Sequence, residues 1–331
     1  MERKVTILGD GQMGLVLART VVEQGCACSL WGPFADAVAG LAARRSSGRL
    51  PQVRLQDEVH VTADAAAALA GATLVVSAIP TQFMRGVWER VGPHRPAAAA
   101  VASVAKGFER GSHVRPTQIL ADAGVHSPAV LTGPTIAAEL ARRLPAVMVA
   151  ASADPAVAER VQSTFATPWL RIYTSGDVVG AEVAGALKNI IALAAGMVDG
   201  LALGCNAKSA LLARGLAEMV RLGTALGARA ETFFGVAGVG DLATTCFSPE
   251  GRNRSCGEAL GRGLPLEAAL AATDSVVEGV ETARSVRDLA RELGVEMPIT
   301  EAVCRIAFER QPPLDAIRDL MGRAARSERV G

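Results

Sequence analysis

The chain has 331 residues, half of them apolar, with 34 basic against 33 acidic side chains and a formal net charge of +1. That length supports two domains, each with its own core, and a near-neutral charge without a basic block argues against a nucleic-acid partner. The apolar runs at 65–70 and 190–195 fall short of the roughly 20 residues of a membrane span, and the charged start feeds a strand rather than a signal peptide, so a cytoplasmic protein with a small-molecule substrate and no integral membrane segment is expected.

Val5-Thr-Ile-Leu8 is a β-branched apolar run that opens directly into Gly9-Asp-Gly-Gln-Met-Gly14, after which residues 15–22 carry apolar side chains at helical spacing. Strand, glycine turn and helix in this order fit a Rossmann dinucleotide site. Gly9 permits the tight turn, Gly11 lets the backbone approach a pyrophosphate, and Gly14 allows the helix to pack closely on the strand. The helix start then offers N–H groups and the positive end of its dipole to the phosphates. Further strands are expected at 28–31, 59–61, 74–79, 99–103, 130–132, 146–150 and 170–173. Near-continuous apolar runs such as Thr73-Leu-Val-Val-Ser-Ala-Ile79 suit a parallel sheet covered on both faces. Residues 1–176 therefore read as a Rossmann-type, doubly wound, mostly parallel α/β domain with its ligand crevice at the carboxyl ends of the strands.

After Ser175-Gly-Asp177 the strand signals stop. Helical patterns follow over 180–197, 209–226, 255–260, 280–293, 299–308 and 314–321, so residues 177–331 read as an all-α domain that binds substrate. The stretch Gly235-Val-Ala-Gly-Val-Gly-Asp241 reads as a turn able to hold N–H groups open for a ligand. The charged tail 323–331 carries no packing pattern. The six cysteines, Cys26, Cys28, Cys205, Cys246, Cys256 and Cys304, include no C-x-x-C pair and no metal-type histidine spacing. They read as small buried hydrophobes, and no metal site is expected.

Only four of the basic residues are lysines: Lys4, Lys106, Lys188 and Lys208. Lys188 sits in Gly180-Ala-Glu-Val-Ala-Gly-Ala-Leu-Lys-Asn-Ile-Ile-Ala-Leu-Ala-Ala-Gly196, a helix apolar nearly all round. There it bears a heavy desolvation cost unless paired, and unlike arginine it can lose its proton, so it is a candidate general acid and base; a snorkelling lysine at the helix edge is the alternative. Asp241 follows a glycine-rich turn and is either its charge partner or a helix cap. Arg252-Asn-Arg254 offers a guanidinium fork and an amide to an anion, or is an exposed charged loop.

Eleven segments in order identify a family: Gly9 to Gly14, Leu30-Trp-Gly32, Val104-Ala-Lys-Gly-Phe-Glu109, Thr132-Gly-Pro-Thr-Ile-Ala-Ala-Glu-Leu140, Gly185-Ala-Leu-Lys-Asn189, Asn206-Ala-Lys-Ser-Ala210, Arg214-Gly-Leu-Ala-Glu-Met219, Gly238-Val-Gly-Asp-Leu242, Arg252-Asn-Arg254, Val276-Val-Glu-Gly279 and Met297-Pro-Ile-Thr300. Over nearly its whole length the chain resembles the bacterial NAD(P)-dependent glycerol-3-phosphate dehydrogenases. The resemblance implies reversible reduction of dihydroxyacetone phosphate to glycerol 3-phosphate for phospholipid synthesis, with NAD or NADP as cofactor and a homodimeric state. It makes Lys188 the catalytic acid and base, Lys106 a catalytic lysine touching both cofactor and substrate, and Asp241 the acid beside the reacting carbon. It puts Gly133, Thr135, Gly251, Arg252 and Asn253 on the substrate. Gly9, Gly11, Gln12, Met13, Gly14, Pro33, Ala137, Val276 and Glu278 fall to the cofactor, which Arg252 also reaches.

The chain departs from the family pattern at Gln12-Met13, at Pro33, which stands where a histidine or arginine is common, and at Gly251, where serine is frequent. No acid follows the second strand within the turn, Asp36 lying at the start of the next helix, so NADPH is expected to be used at least comparably to NADH, with Arg44, Arg45 or Arg252 supplying positive charge. A β-hydroxyacid or ketopantoate-type reductase would share the glycine turn and the Lys-Asn helix, but has no reason to carry Arg252-Asn-Arg254. A non-catalytic NAD(P)H sensor has no use for both Lys106 and Lys188. A paralogue serving a specialised pathway would keep the same active site.

Overall fold

The β-branched and apolar runs become eight strands: β1 (Lys4–Leu8), β2 (Ala27–Trp31), β3 (Val59–Thr62), β4 (Leu74–Ser77), β5 (Ala100–Ser103), β6 (Ala129–Thr132), β7 (Ala146–Ala151) and β8 (Leu170–Ser175). In the computed structural model, which describes residues 3–273, 276–324 and 327–328, they form one sheet ordered β3-β2-β1-β4-β5-β6-β7-β8. Every neighbouring pair is parallel except β6 with β7. The central strand β4, Leu-Val-Val-Ser, is buried along its whole length, as helices covering both faces of a parallel sheet require. The chain moves outward from β1 to β3 and then crosses back to β4 on the other side of β1. That reversal opens a crevice at the carboxyl ends of β1 and β4, where doubly wound sheets bind their ligands.

Two compact units are present. The sheet unit consists of the chain up to Ala105 together with Pro116–Val178, and the helical unit of Lys106–Arg115 with the chain from Val179 onward. The assignment of 1–176 to one domain thus misses an excursion of ten residues. Phe108, fully buried, belongs to the helical core, and Arg115 donates to the buried Glu182 at 2.7 Å. Burying an aromatic ring and satisfying a buried carboxylate hold this segment in the helical unit. It carries Lys106 with it.

The helical unit is built on Val178–Gly200, followed by Gly204–Ala225, Asp241–Phe247, Arg252–Gly261, Glu278–Glu292, Pro298–Glu309 and Pro313–Met321. Val178–Gly200 runs longer than its sequence pattern predicts. Among the described residues it is the one helix long and apolar enough to cross a membrane, and 89 % of its most apolar 18-residue window is buried in the protein. It is a core helix. The glycine stretch before Asp241 is not an open turn, as expected from sequence, but one turn of π-helix, Val236–Gly240. The Gly240 N–H donates to the Gly235 carbonyl at 3.2 Å and the Asp241 N–H to that of Val236, so these donors are spent internally. Of the tail 323–331, residues 325–326 and 329–331 lie outside the described residues.

Glycines decide how closely the helices meet. A Cβ on Gly196 would lie 1.9 Å from the Arg254 carbonyl oxygen, and one on Gly257 2.0 Å from that of Leu193. Gly200 and Gly261, each four residues on, repeat the contact at 2.3 Å and 2.5 Å. Val178–Gly200 and Arg252–Gly261 therefore touch backbone to backbone through two small-x-x-x-small faces. A Gly196→Ala substitution, which forces these backbones apart, should lower the unfolding free energy by about 1–3 kcal/mol. Denaturant melts check this; a change below about 0.5 kcal/mol, the range of ordinary surface substitutions, would show the contact to be loose.

Candidate active site

The glycine turn follows β1. Gly9 adopts φ +116°, and a Cβ there would meet the Ala78 carbonyl oxygen, just past β4, at 2.7 Å. A Cβ on Gly14 would stand 1.9 Å from the Gly9 carbonyl oxygen, so helix Gln12–Glu23 starts directly on the turn. Gly11 differs: a Cβ there would touch no protein atom within 4 Å. Internal packing does not require glycine at that position, whereas a ligand phosphate drawn against the backbone does. Gly11 is also the N-cap of the helix and its first N–H groups receive no side-chain cap, which leaves an anion as their natural partner. The residues present fit a dinucleotide pyrophosphate.

Around this turn, Gln12 donates through Nε2 to the Arg49 carbonyl at 2.7 Å, Met13 packs against the sheet core, and Pro33 is half-buried just beyond β2. Asp36 lies exposed in the first turn of helix Ala35–Arg44. Of the arginines expected to supply charge here, Arg45 is spent on the carbonyls of Gln56 and Val59. Arg49, which the sequence did not single out, stands 3.6 Å from Asp10 of the glycine turn. At the carboxyl end of β6, Gly133 has φ +141°, the Thr135 hydroxyl donates to the Gly133 carbonyl at 3.1 Å, and Ala137 begins helix Ala137–Ala141. Strands β1 and β6 run in the same direction through β4 and β5, so both turns lie on the carboxyl edge of the parallel strands.

In the helical unit the three charged residues selected from sequence come together. The Asp241 carboxylate is 1 % exposed. Its Oδ1 accepts from Lys188 Nζ at 2.7 Å and its Oδ2 from Lys106 Nζ at 2.6 Å. Lys188 is not a snorkelling side chain: it is buried and donates again to the Thr245 hydroxyl at 2.6 Å. Burial pushes its pKa from 10.5 down to about 8; the Asp241 charge opposes this and that of Lys106 reinforces it. Asp241 is the first residue of helix Asp241–Phe247 but caps nothing with its side chain. Thr245, one turn further on, donates to the Asp241 carbonyl at 2.7 Å. That bond fixes the hydroxyl so that its lone pairs face Lys188. Thr245 was not selected from sequence, although its i+4 spacing from Asp241 could have marked it.

Gly251 is the N-cap of helix Arg252–Gly261, without a side-chain cap, and Arg252 is exposed at its first position. A guanidinium beside uncapped helix N–H groups is a phosphate-binding arrangement. The other two members of the triplet have partners within the helical unit. Asn253 is buried and its Oδ1 accepts from the Gly279 N–H at 2.9 Å, which ties this corner to the start of helix Glu278–Glu292. Arg254 turns away to Asp199 at 2.7 Å, which also accepts from Lys208, a structural cluster. Glu278 is half-buried; burial raises its pKa, while the charges of Arg252, Lys106 and Lys188 act to lower it. Its carboxylate thus stands within the field of all three cations, and Val276 beside it is exposed. Five of the six cysteines are buried as expected, but Cys205 is exposed at the start of helix Gly204–Ala225. No group of three metal-ligating side chains occurs among the described residues.

The chain is similar to known proteins over both units. Residues 4–158 match the family model for the NAD-dependent glycerol-3-phosphate dehydrogenase N-terminus and residues 177–318 that for its C-terminus. A glycerol-3-phosphate dehydrogenase [NAD(P)+] of Streptomyces coelicolor is 43 % identical, with 98 % of each chain covered, and one of a Parafrankia species is 45 % identical, with 97 % of each covered. The crystal structure of glycerol-3-phosphate dehydrogenase from Coxiella burnetii superposes with a TM-score of 0.93 at 34 % identity, covering 97 % of this chain and 99 % of the other. With both family models matched and the full length shared with these relatives, the chain belongs to the NAD-dependent glycerol-3-phosphate dehydrogenase family.

Proposed function

We propose that the protein is an NAD(P)-dependent sn-glycerol-3-phosphate dehydrogenase, interconverting dihydroxyacetone phosphate and glycerol 3-phosphate for phospholipid synthesis. The observation that carries the proposal is the buried Lys188–Asp241–Lys106 cluster, a proton donor of lowered pKa held on a shared carboxylate. A cytoplasmic location and a homodimeric state are part of the proposal, by analogy with the family.

A bound nicotinamide would supply the hydride chemistry; the side chains manage one proton, one developing oxyanion and one phosphate. In reduction, the Lys188 ammonium gives a proton to the C2 oxygen as negative charge builds there. The neutral amine left behind stays fixed by Asp241 and Thr245. In oxidation, the neutral amine takes the proton from the C2 hydroxyl. Lys106, the second ammonium on Asp241, stabilises the oxyanion electrostatically and touches cofactor and substrate. Two ammonium groups on one carboxylate leave a net positive charge that attracts a phosphorylated substrate. Arg252 and the helix start at Gly251 grip the phosphate, with Asn253 bracing them and contributing through its remaining amide nitrogen. Gly133 and Thr135 complete the substrate contacts. On the cofactor side, Gly9, Gly11 and Gly14 would hold the pyrophosphate, and the family resemblance assigns Gln12, Met13, Pro33, Ala137, Val276 and Glu278 to the remainder.

The deciding experiment is oxidation of NADPH or NADH, followed by absorbance, with dihydroxyacetone phosphate set beside dihydroxyacetone, pyruvate and ketopantoate. Dihydroxyacetone phosphate should exceed dihydroxyacetone by up to about 10⁴-fold in kcat/KM, because the analogue leaves phosphate donors unpaired. Equal rates on both compounds, or activity confined to an unphosphorylated acid, would remove the assignment.

Lys188 should set the pH profile. Its pKa lies below that of an ordinary lysine, so glycerol 3-phosphate oxidation should rise as pH passes upward through about 8 and the reverse reaction should fall there. Lys188→Met should lower kcat at least roughly 10²-fold in a folded protein and abolish that step in the profile. Near-normal turnover by the mutant would refute the role.

Arg252→Lys tests the phosphate grip. An ammonium cannot reproduce a bidentate fork, so KM for dihydroxyacetone phosphate should rise about tenfold or more while kcat changes less. An unchanged KM with weakened NADPH binding would make Arg252 a cofactor residue alone.

A further inference from the structure

NAD-selective Rossmann sites present a carboxylate after the second strand, where it bonds the ribose hydroxyls and repels a 2′-phosphate. Here β2 runs into Gly32-Pro-Phe-Ala35, and Asp36 is an exposed residue of the following helix. The carboxylate that does stand at the end of β2 comes from the glycine turn: the Asp10 Cγ lies 3.1 Å from where a Cβ on Gly32 would be. It is not alone. Arg49 Nη1 is 3.6 Å from Asp10 Oδ1, with the arginine side chain 58 % exposed.

The segment presenting Arg49 is built into the sheet unit. Leu50 and Val53 are buried in its core, Ser46 and Arg54 form a β-bridge, and the Arg49 carbonyl accepts from Gln12 Nε2 at the helix start. Nearby, Arg45 is committed to the Gln56 and Val59 carbonyls, and Arg54 reaches the Arg44 carbonyl at 3.5 Å. Arg49 therefore brings a solvent-accessible guanidinium to the strand end from a fixed base. At 3.6 Å and largely exposed, its pairing with Asp10 is weak.

We propose that Arg49 is the cation that reads the 2′-phosphate of NADPH, exchanging the Asp10 carboxylate for the phosphate when that cofactor binds. The proposal rests on the NAD(P) reading given above and names the residue that sets its selectivity. A phosphate dianion offers the guanidinium two parallel charge-assisted bonds, which the Asp10 contact does not. With NADH, Arg49 stays on Asp10 and the ribose hydroxyls are accepted without penalty. Removing Arg49 acts on NADPH twice: it deletes the donor and leaves the Asp10 charge uncompensated beside the phosphate. Arg49 thus performs from a distant loop the task that Pro33 cannot.

The test is direct binding, without substrate, of NADPH and NADH to the full chain by calorimetry or nucleotide fluorescence. Arg49→Ala should weaken NADPH by about 10- to 100-fold, the size of a lost charge-assisted contact of roughly 1.5–3 kcal/mol, and leave NADH within about twofold. Arg49→Lys should fall between the two. Asp10→Asn, added to Arg49→Ala, should restore part of the NADPH affinity. Retained NADH binding doubles as the check that each variant is folded. Equal losses for both cofactors, or unchanged NADPH affinity in Arg49→Ala, would overturn the proposal while leaving the dehydrogenase reading intact. Wild-type protein that binds neither nucleotide would overturn both.

Discussion

One carboxylate shared by two lysines is the constraint on which the helical unit depends. Asp241 is almost wholly removed from water, where an unpaired carboxylate would cost several kcal/mol. Two ammonium groups 2.6 Å and 2.7 Å away satisfy it. They come from separate parts of the chain: Lys188 from the core helix, Lys106 from a segment that leaves the sheet unit to reach this place. The arrangement is stable as a structure, yet it keeps one of its lysines close to losing a proton. Stability and chemistry draw on the same desolvation, because the burial that makes the charges require one another also lowers the pKa of Lys188.

The packing of the unit serves this cluster. A lysine can be buried only if the helices around it close tightly, and the glycines at 196, 200, 257 and 261 let two backbones meet at a separation no side chain would allow. The same contact sets the start of Arg252–Gly261 beside the core helix, with Asn253 tied to Gly279. Arg252 and Lys188, 64 positions apart in sequence, are thereby brought onto one framework. Elsewhere Glu218 is buried, pushed up to about 7 by desolvation, and accepts from the Ile299 and Thr300 N–H groups at the start of Pro298–Glu309. It holds another helix of the unit in place.

Much of this was legible in the chain itself. The inner strands follow from runs of β-branched and apolar residues, since a strand covered on both faces cannot alternate with polar positions, whereas the edge strands β3 and β8 keep polar or exposed side chains among their buried ones. The glycine turn after β1 declared itself because each glycine has a separate steric reason. Lys188 stood out because lysine is rare here and this one lies in apolar surroundings, a combination that desolvation makes costly unless a partner exists. Local pattern, burial preference and residue chemistry sufficed for these, since each acts over a few neighbouring residues. They also marked Asp241 and Arg252 as charged groups, but left open a helix cap for the one and an exposed loop for the other.

Only the tertiary structure settled which groups share a partner. That Lys106 belongs with the helices, that Arg254 serves Asp199 while Arg252 remains exposed, that the glycine stretch before Asp241 is a π-helical turn, and that Thr245 steadies Lys188 all depend on contacts between residues far apart in the chain or on the exact phase of a helix. Arg49 is the plainest case: nothing in its own neighbourhood distinguishes it from Arg44, Arg45 or Arg54, and only the folding of its loop brings it to Asp10. Sequence determines which residues can bear charge, form a strand or turn tightly, because those are properties of single residues and short runs. Which charges face one another is decided by packing, where the energy of a pair depends on distance and burial rather than on separation along the chain.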